Sequence, residues 1–231
     1  MNDRMIPESR VRAALVALAL GSGICMAMLA SRTVFAQRLE LGFYPWNLVL
    51  AWIPMLLAWR IHGLWARRSP RAGLLAVCAV LWFFFLPNAP YIVTDLVHLK
   101  TRTPVPKWFD LVMMVSFAWT GLCLGWLSLY LMQEVVRGWC GERWSRAFVV
   151  TMLALSSFGI YLGRFQRWNS WDVIARPFGL AGDVIRRVDF AGNPELFAFS
   201  ATFFAFSLLS YFPLCALIHL HGEPRRESES G

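Results

Sequence analysis

Long apolar stretches without Asp, Glu, Lys or Arg alternate along the chain with short polar segments. Six of these stretches approach or exceed the roughly 20 residues that a helix needs to cross a hydrocarbon core. Backbone groups in lipid must bond within their own segment, and no alternating ten-residue pattern indicates a barrel. The pattern therefore predicts an all-α integral membrane helical bundle with about six transmembrane helices, near residues 13–31, 41–59, 72–87, 111–133, 147–163 and 196–218.

Composition agrees with this pattern. Of the 231 residues, 58% are hydrophobic and only 16% are charged, which excludes an ordinary water-soluble domain. The net charge of +8 is spread over both faces beside the spans, so we expect contact with the lipid bilayer and no nucleic-acid partner. No linker or repeat divides the chain, which predicts a single transmembrane domain over residues 1–231, with a disordered polar tail at 222–231.

The third span ends in the stretch LPNAPYIVTDLVHL, Leu86 to Leu99, where two prolines and several polar residues follow a very apolar run. Pro90 fits a helix only in its first turn, and Asn88 is a suitable cap. We therefore predict a broken third span, in which a new short helix begins at Asn88 or Ala89 and continues through Leu99.

One face of this short helix carries its polar residues, namely Tyr91, Thr94, Asp95 and His98. An ionisable residue near a span usually faces a partner or a water-filled cavity, because exposure to lipid is costly. Arg164 or Arg167, at the end of the fifth span, would form a charge-assisted pair with Asp95. We predict a polar site near the outer face, formed by Asn88, Tyr91, Asp95, His98, Arg164, Arg167, Asn169 and Asp172.

Three roles are open for this polar site. It could be a structural clasp that holds the broken span, because buried pairs are commonly just satisfied. It could bind or transport a small polar or anionic ligand, because broken helices often line substrate paths. It could belong to a membrane-embedded enzyme that acts on a lipid or envelope precursor, with His98 and Asp95 as an acid–base pair. The DxxH spacing lacks a second His, so we predict no metal and no cofactor.

Other features indicate packing and topology. Gly121-xxx-Gly125 and Gly159-xxx-Gly163 are typical of helix packing, and Asp110 is interpreted as a cap or a partner of the helix dipole.

Between spans five and six, Arg176-Pro177 followed by Phe178, Ala181, Ile185 and Val188 predicts a short interfacial helix. The short loops Arg60–Arg71 and Glu134–Arg146 are basic, which favours both termini on the inner side.

The first span has two interpretations. Basic residues precede its apolar core, and Val34-Phe35-Ala36 before Gln37 resembles a signal-peptide cleavage site. Signal peptides usually have shorter cores, so a retained signal-anchor helix is favoured.

Several segments carry a family resemblance, which covers about Tyr44 to Leu217. The segments WNLVLAWIPMLLAW, FLPNAPYIVTDLVHL, WFDLVMMVSFAWTGLCLGWLSLYLMQ and GIYLGRFQRWNSWDV resemble the bacterial domain-of-unknown-function family numbered 1361. The resemblance implies a multi-pass protein of the bacterial inner membrane without an established activity. It assigns no catalytic residue and does not cover the first span.

Overall fold

The computed structural model describes residues 6–38, 40–67, 71–99, 105–168, 170, 172–176, 178–179, 182 and 193–220. All regular elements in these ranges are helical, and six helical segments are long and apolar enough to cross a membrane, which confirms the predicted fold class. The elements are α1 (Glu8–Ala36), α2 (Phe43–Ala66), α3 (Ala72–Phe85), α4 (Asn88–Tyr91), a 3₁₀ helix (Ile92–His98), α5 (Lys107–Cys140), α6 (Glu142–Gln166), α7 (Asp172–Ala175) and α8 (Pro194–Leu220).

The bundle is built around α5. With 34 residues it is the longest helix described, about 51 Å at 1.5 Å per residue. It packs against α1, α2, α6 and α8, and core residues such as Met113, Phe117 and Leu124 are fully buried. Few residues of α1, α3 and α8 are buried, despite the apolar composition of these helices. An apolar exterior around a buried central helix is the arrangement expected of a bundle surrounded by lipid.

The third apolar segment is broken, as the prolines predict. The helix α3 ends at Phe85, and α4 begins at Asn88 after a turn formed by Leu86 and Pro87. Proline has no backbone N–H, so Pro87 cannot continue the hydrogen-bond ladder of α3. Asn88 is the first residue of the new helix, and Pro87 stands in the cap position. The side chain of Asn88 donates to the carbonyl of Phe85 and does not cap the helix.

The continuation after α4 differs from the predicted α-helix. Residues Ile92 to His98 form a 3₁₀ helix, in which three residues make one turn. Asp95 and His98 therefore fall in one row, while Thr94 falls in the row of Tyr91 and donates to its carbonyl at 2.7 Å. The single polar face expected from α-helical spacing is thus split into two rows.

Glycines on α5 and α6 accommodate the broken segment. A Cβ on Gly121 would lie 2.6 Å from the carbonyl oxygen of Ala89, and one on Gly125 would lie 2.9 Å from the Ala89 Cβ. A Cβ on Gly159 would lie 3.0 Å from Cγ of Pro87. The glycine pairs are packing motifs, as predicted, and they pack against the break in the third segment.

The first helix extends beyond its predicted end and is tied to α5 by a buried ion pair. Arg32, predicted to lie in a loop, is 3% exposed within α1. Its Nε donates to Oδ1 of Asp110 at 2.8 Å, and its Nη2 donates to Oδ2 at 3.4 Å. Asp110 is not the cap of α5, because that helix begins at Lys107. It lies in the first turn, as its interpretation as a partner of the helix dipole predicts, and its carboxylate also pairs with Arg32. The predicted span stops at residue 31 because Arg32 is charged. In the structure the helix continues, because Asp110 neutralises Arg32 inside the bundle.

Two predicted features lie largely outside the described residues. The predicted interfacial helix that follows Arg176 has only isolated described positions, such as Phe178. The predicted polar tail at 222–231 is outside the described residues altogether. Retention of α1 stays a prediction, although α1 packs against α2 and α5 as part of the bundle.

Candidate functional site

Asp95 and Arg164 form an ion pair at the end of the bundle where α2 begins and α6 ends. The break in the third segment turns Asp95 inward, and its side chain is almost fully buried. Arg164, in the last turn of α6, donates from Nη1 to Oδ1 of Asp95 at 3.2 Å. The pairing agrees with the expectation that a carboxylate at this depth faces a cation.

Two residues of α2 complete the surroundings of Asp95. Asn47 donates from Nδ2 to Oδ2 of Asp95 at 2.7 Å, and the hydroxyl of Tyr44 donates to its backbone carbonyl at 3.3 Å. Both carboxylate oxygens therefore have a donor. Sequence reasoning missed Asn47, although a signal was present: it is the one Asn in the charge-free stretch 41–59, and polar groups inside spans usually face a partner.

His98 is exposed and lies beside the ion pair. Nη2 of Arg164 is 3.3 Å from Nε2 of His98, and the imidazole packs against the ring of Phe43 at a centroid distance of 5.0 Å. A guanidinium only donates hydrogen bonds, so Nε2 is the acceptor in this contact. Asp95 and His98 thus share Arg164, and their side chains do not bond each other among the described contacts.

A cavity of about 370 Å³ lies beside this cluster, between α2, the end of α3 and α6. Most of its wall is apolar, and the described residues that contribute polar atoms are Asn47, Asn88, Tyr91, Ser156, Trp168 and Ser170. Trp46 and Leu155 line the cavity and are 54% and 43% exposed, so the cavity opens to the apolar surface of the bundle on that side.

Small residues occupy the stripe of α6 that lines the cavity. Met152, Ser156, Gly159 and Gly163 follow each other at spacings of four, three and four, which places them on one helix face. Gly159 and Gly163 allow Pro87 and Tyr91 to approach α6 closely, so the broken segment forms part of the same wall.

Part of the cavity lining is polar. Asn88 donates from Nδ2 to Oγ of Ser170 at 2.7 Å, which links the start of α4 to the segment that follows α6. Tyr91 lies beside it and contacts the position of Gly163, where a Cβ would be 3.4 Å from the tyrosine ring. Asn88 and Tyr91 thus line the cavity as neighbours of the ion pair.

The other predicted site residues are placed differently. Arg167 is exposed and follows α6 in the left-handed region with φ of 59°, and the backbone N–H groups of Arg167 and Trp168 both donate to the carbonyl of Leu162. Asp172 is half-buried at the start of α7. Asn169 lies outside the described residues. The structure thus brings Asp95, His98 and Arg164 together, with the cavity-lining Asn88 and Tyr91 beside them.

The arrangement suits an amphipathic ligand. Arg164 is 20% exposed, and its guanidinium carries five N–H donors, more than its two described contacts use. Arg164 itself does not line the cavity but adjoins the lining residue Gly163, so a cation for an anionic group lies next to an apolar wall that suits a hydrocarbon chain. Within the described part of the chain, no group of three or more His, Cys, Asp or Glu residues could hold a metal ion.

Comparison with known proteins gives one match. Residues 46–210 match the model of a family described as "Protein of unknown function (DUF1361)". The match covers α3 to α6 in full, including the ion pair and the cavity. No curated protein and no solved structure matches the chain.

Proposed function

Because the chain belongs to the DUF1361 family, whose function is unknown, we propose a role from the site: the protein binds an anionic membrane lipid at the cavity beside Asp95. The phosphate of the headgroup contacts Arg164 beside the cavity. Part of one acyl chain lies between α3 and α6, and the remainder of the lipid stays in the bilayer.

The cavity beside the ion pair is the observation that carries this proposal. Its volume of about 370 Å³ falls within the roughly 300–1,000 Å³ of typical ligand sites. Phe83, Phe84 and Phe158 contribute apolar wall, whereas Asn88 and Ser170 contribute polar side chains to the lining. These two kinds of lining correspond to the acyl chain and the headgroup of a lipid. The cavity opens beside Leu155, on the apolar surface that would contact the bilayer.

The alternative roles find less support. A clasp requires the polar groups to be paired and needs no cavity, whereas a cavity adjoins this pair. An enzyme that uses His98 and Asp95 as a dyad requires a bond between them, whereas both contact Arg164. Transport requires a path towards the opposite end, and the described cavity lining belongs to the end where α2 begins and α6 ends.

The proposed setting is a bacterial inner membrane with both termini in the cytoplasm. The basic segments Arg60–Arg71 and Glu134–Arg146, at the helix ends of one side of the bundle, support this orientation. Exposed tryptophans occur at both ends of the bundle, Trp46 and Trp108 at one end and Trp139 and Trp144 at the other, as in aromatic belts. In this orientation the cavity lies in the outer leaflet.

The test is thermal unfolding of the purified full chain in neutral detergent, with added phosphatidylglycerol or phosphatidylcholine of equal chain length. Ligand at about a hundredfold excess over Kd contributes about 2.7 kcal/mol, which corresponds to a rise in Tm of about 5–10 °C for a chain of this size. We expect this rise with phosphatidylglycerol and a much smaller one with phosphatidylcholine, because only the former has a net negative headgroup.

Two variants assign the effect to the site. Arg164→Ala removes the cation, and Leu155→Trp narrows the cavity from its exposed edge while leaving the ion pair intact. Both are expected to lose most of the response to phosphatidylglycerol. Arg143→Ala removes the same charge from an exposed position at the opposite end and is expected to keep the response. Equal responses to the two lipids, or unchanged responses in both site variants, would refute the proposal.

A further inference from the structure

Ser156 is a buried hydroxyl in the wall of the cavity. It is 3% exposed and lies on α6 in the stripe that lines the cavity. Its Oγ has no hydrogen-bond partner among the residues that the structure describes. A buried donor without a partner costs free energy, so a hydroxyl in such a place points to a group that arrives from outside the chain.

Most other hydroxyls on the long helices are satisfied locally. They donate to the carbonyl four residues earlier, as do Ser22, Ser31, Thr33, Ser116, Thr120, Ser157, Thr202, Ser207 and Ser210. This back-bonding is the ordinary solution for Ser and Thr in an apolar helix. In the described part of the chain, Ser200 also lacks a partner, but it does not line the cavity.

The depth of Ser156 relative to Arg164 indicates which group would reach it. Eight residues of α6 separate the two positions, or about 12 Å along the helix axis. Side chains on a helix lean towards its N-terminus, so the long Arg164 side chain shortens this gap. In a glycerolipid the ester carbonyls lie just below the phosphate, between the headgroup and the acyl chains. Ester carbonyls accept hydrogen bonds and have none to donate, so they are suitable partners for the hydroxyl of Ser156, which can donate one.

We propose that Ser156 donates a hydrogen bond to an ester carbonyl of the bound lipid, and that the cavity therefore selects ester-linked anionic glycerolipids. This inference rests on the proposed lipid-binding function and names the lipid class. Lipids with ether-linked chains, or with a phosphate attached directly to a hydrocarbon chain, have no carbonyl at this depth. They would leave the hydroxyl of Ser156 buried without a partner.

The experiment compares two phosphatidylglycerols with identical headgroups and chain lengths, one with ester-linked and one with ether-linked chains. Their dissociation constants are measured by native mass spectrometry of the full chain released from detergent micelles. For the unmodified protein we expect the diester lipid to bind about three- to tenfold more tightly, the range that one hydrogen bond supports. In Ser156→Ala the two lipids should bind with equal affinity, close to that of the diether lipid for the unmodified chain.

Ser157→Ala is the matched control. Ser157 is the neighbouring residue, is equally buried, and already donates to the carbonyl of Leu153 at 2.8 Å. It should keep the preference for the diester lipid. If both lipids bind the unmodified chain equally well, the role of Ser156 is refuted while lipid binding stands. If neither lipid binds, the proposed function fails and this inference fails with it.

Discussion

At the scale of single residues, the ion pair of Asp95 and Arg164 is the interaction on which the site depends. The carboxylate is almost fully buried, and its two oxygens accept from Arg164 and Asn47. Removing one partner of a buried pair leaves the other charge without compensation, at a cost of about 3–5 kcal/mol. Arg164 is partly exposed, which places the expected loss at the lower end of this range.

A double-mutant cycle tests the pair. Asp95→Asn and Arg164→Ala should each lower the free energy of unfolding, and the double variant should lose clearly less than the sum. A coupling energy of about 1–3 kcal/mol is expected for residues in one network. The measurement is equilibrium unfolding by denaturant in mixed micelles. Full additivity would show that the two side chains do not stabilise each other.

Sequence reasoning reached part of this site. Asp95 and Arg164 were predictable because a charge next to an apolar span needs a partner, and the chain offers few partners at that level. Asn47 was missed because an uncharged amide does not interrupt a charge-free stretch. Ser156 gives no signal in the sequence, since serine is common in helices and only the structure shows that its hydroxyl makes no hydrogen bond to the described residues.

At the scale of elements, the broken third segment fits between α5 and α6 because these helices carry glycine where it approaches. A Cβ on Gly121 would lie 2.6 Å from a backbone oxygen of the break, closer than such atoms can approach. The break in turn positions Asp95 and Asn88. Helix packing and the geometry of the site are therefore linked through these glycines.

Gly121→Ala tests this link. We expect a loss of about 1–3 kcal/mol in the free energy of unfolding, as for other overpacked positions, together with weaker binding of phosphatidylglycerol. Gly63→Ala on α2 is the control, because nothing lies within 4 Å of a Cβ there. That substitution should stabilise the helix by up to about 1 kcal/mol. Similar effects of both substitutions would contradict the close packing.

The elements themselves were largely predictable, and the deviations have physical causes. Hydropathy located the six long segments, and two prolines located the break. The 3₁₀ geometry of Ile92–His98 was not predictable, because the α-helical and 3₁₀ forms share the same local sequence preferences. The end of α1 was placed too early because Arg32 is charged, whereas its pairing with Asp110 allows it to be buried.

At the scale of the whole molecule, the bundle is asymmetric. The central helix α5 is mostly buried, while α1, α3 and α8 present apolar side chains to the outside. The described cavity opens on the side between α3 and α6, at the end that holds the ion pair. In the part of the chain that the structure describes, this end therefore combines an apolar recess with a neighbouring cation.

The most direct test of the lipid site is photocrosslinking from its edge. A benzoylphenylalanine replaces Leu155, which lines the cavity and is 43% exposed, or Leu209, which is 75% exposed on α8 and outside the cavity lining. Both proteins are placed in bilayers of equal phosphatidylglycerol and phosphatidylcholine, irradiated, and analysed for lipid adducts by mass spectrometry. If the cavity binds an anionic lipid, adducts at position 155 should be enriched several-fold in phosphatidylglycerol over its share of the bilayer. Adducts at position 209 should show the bulk ratio of the two lipids. The bulk ratio at both positions would contradict anionic lipid binding at the cavity.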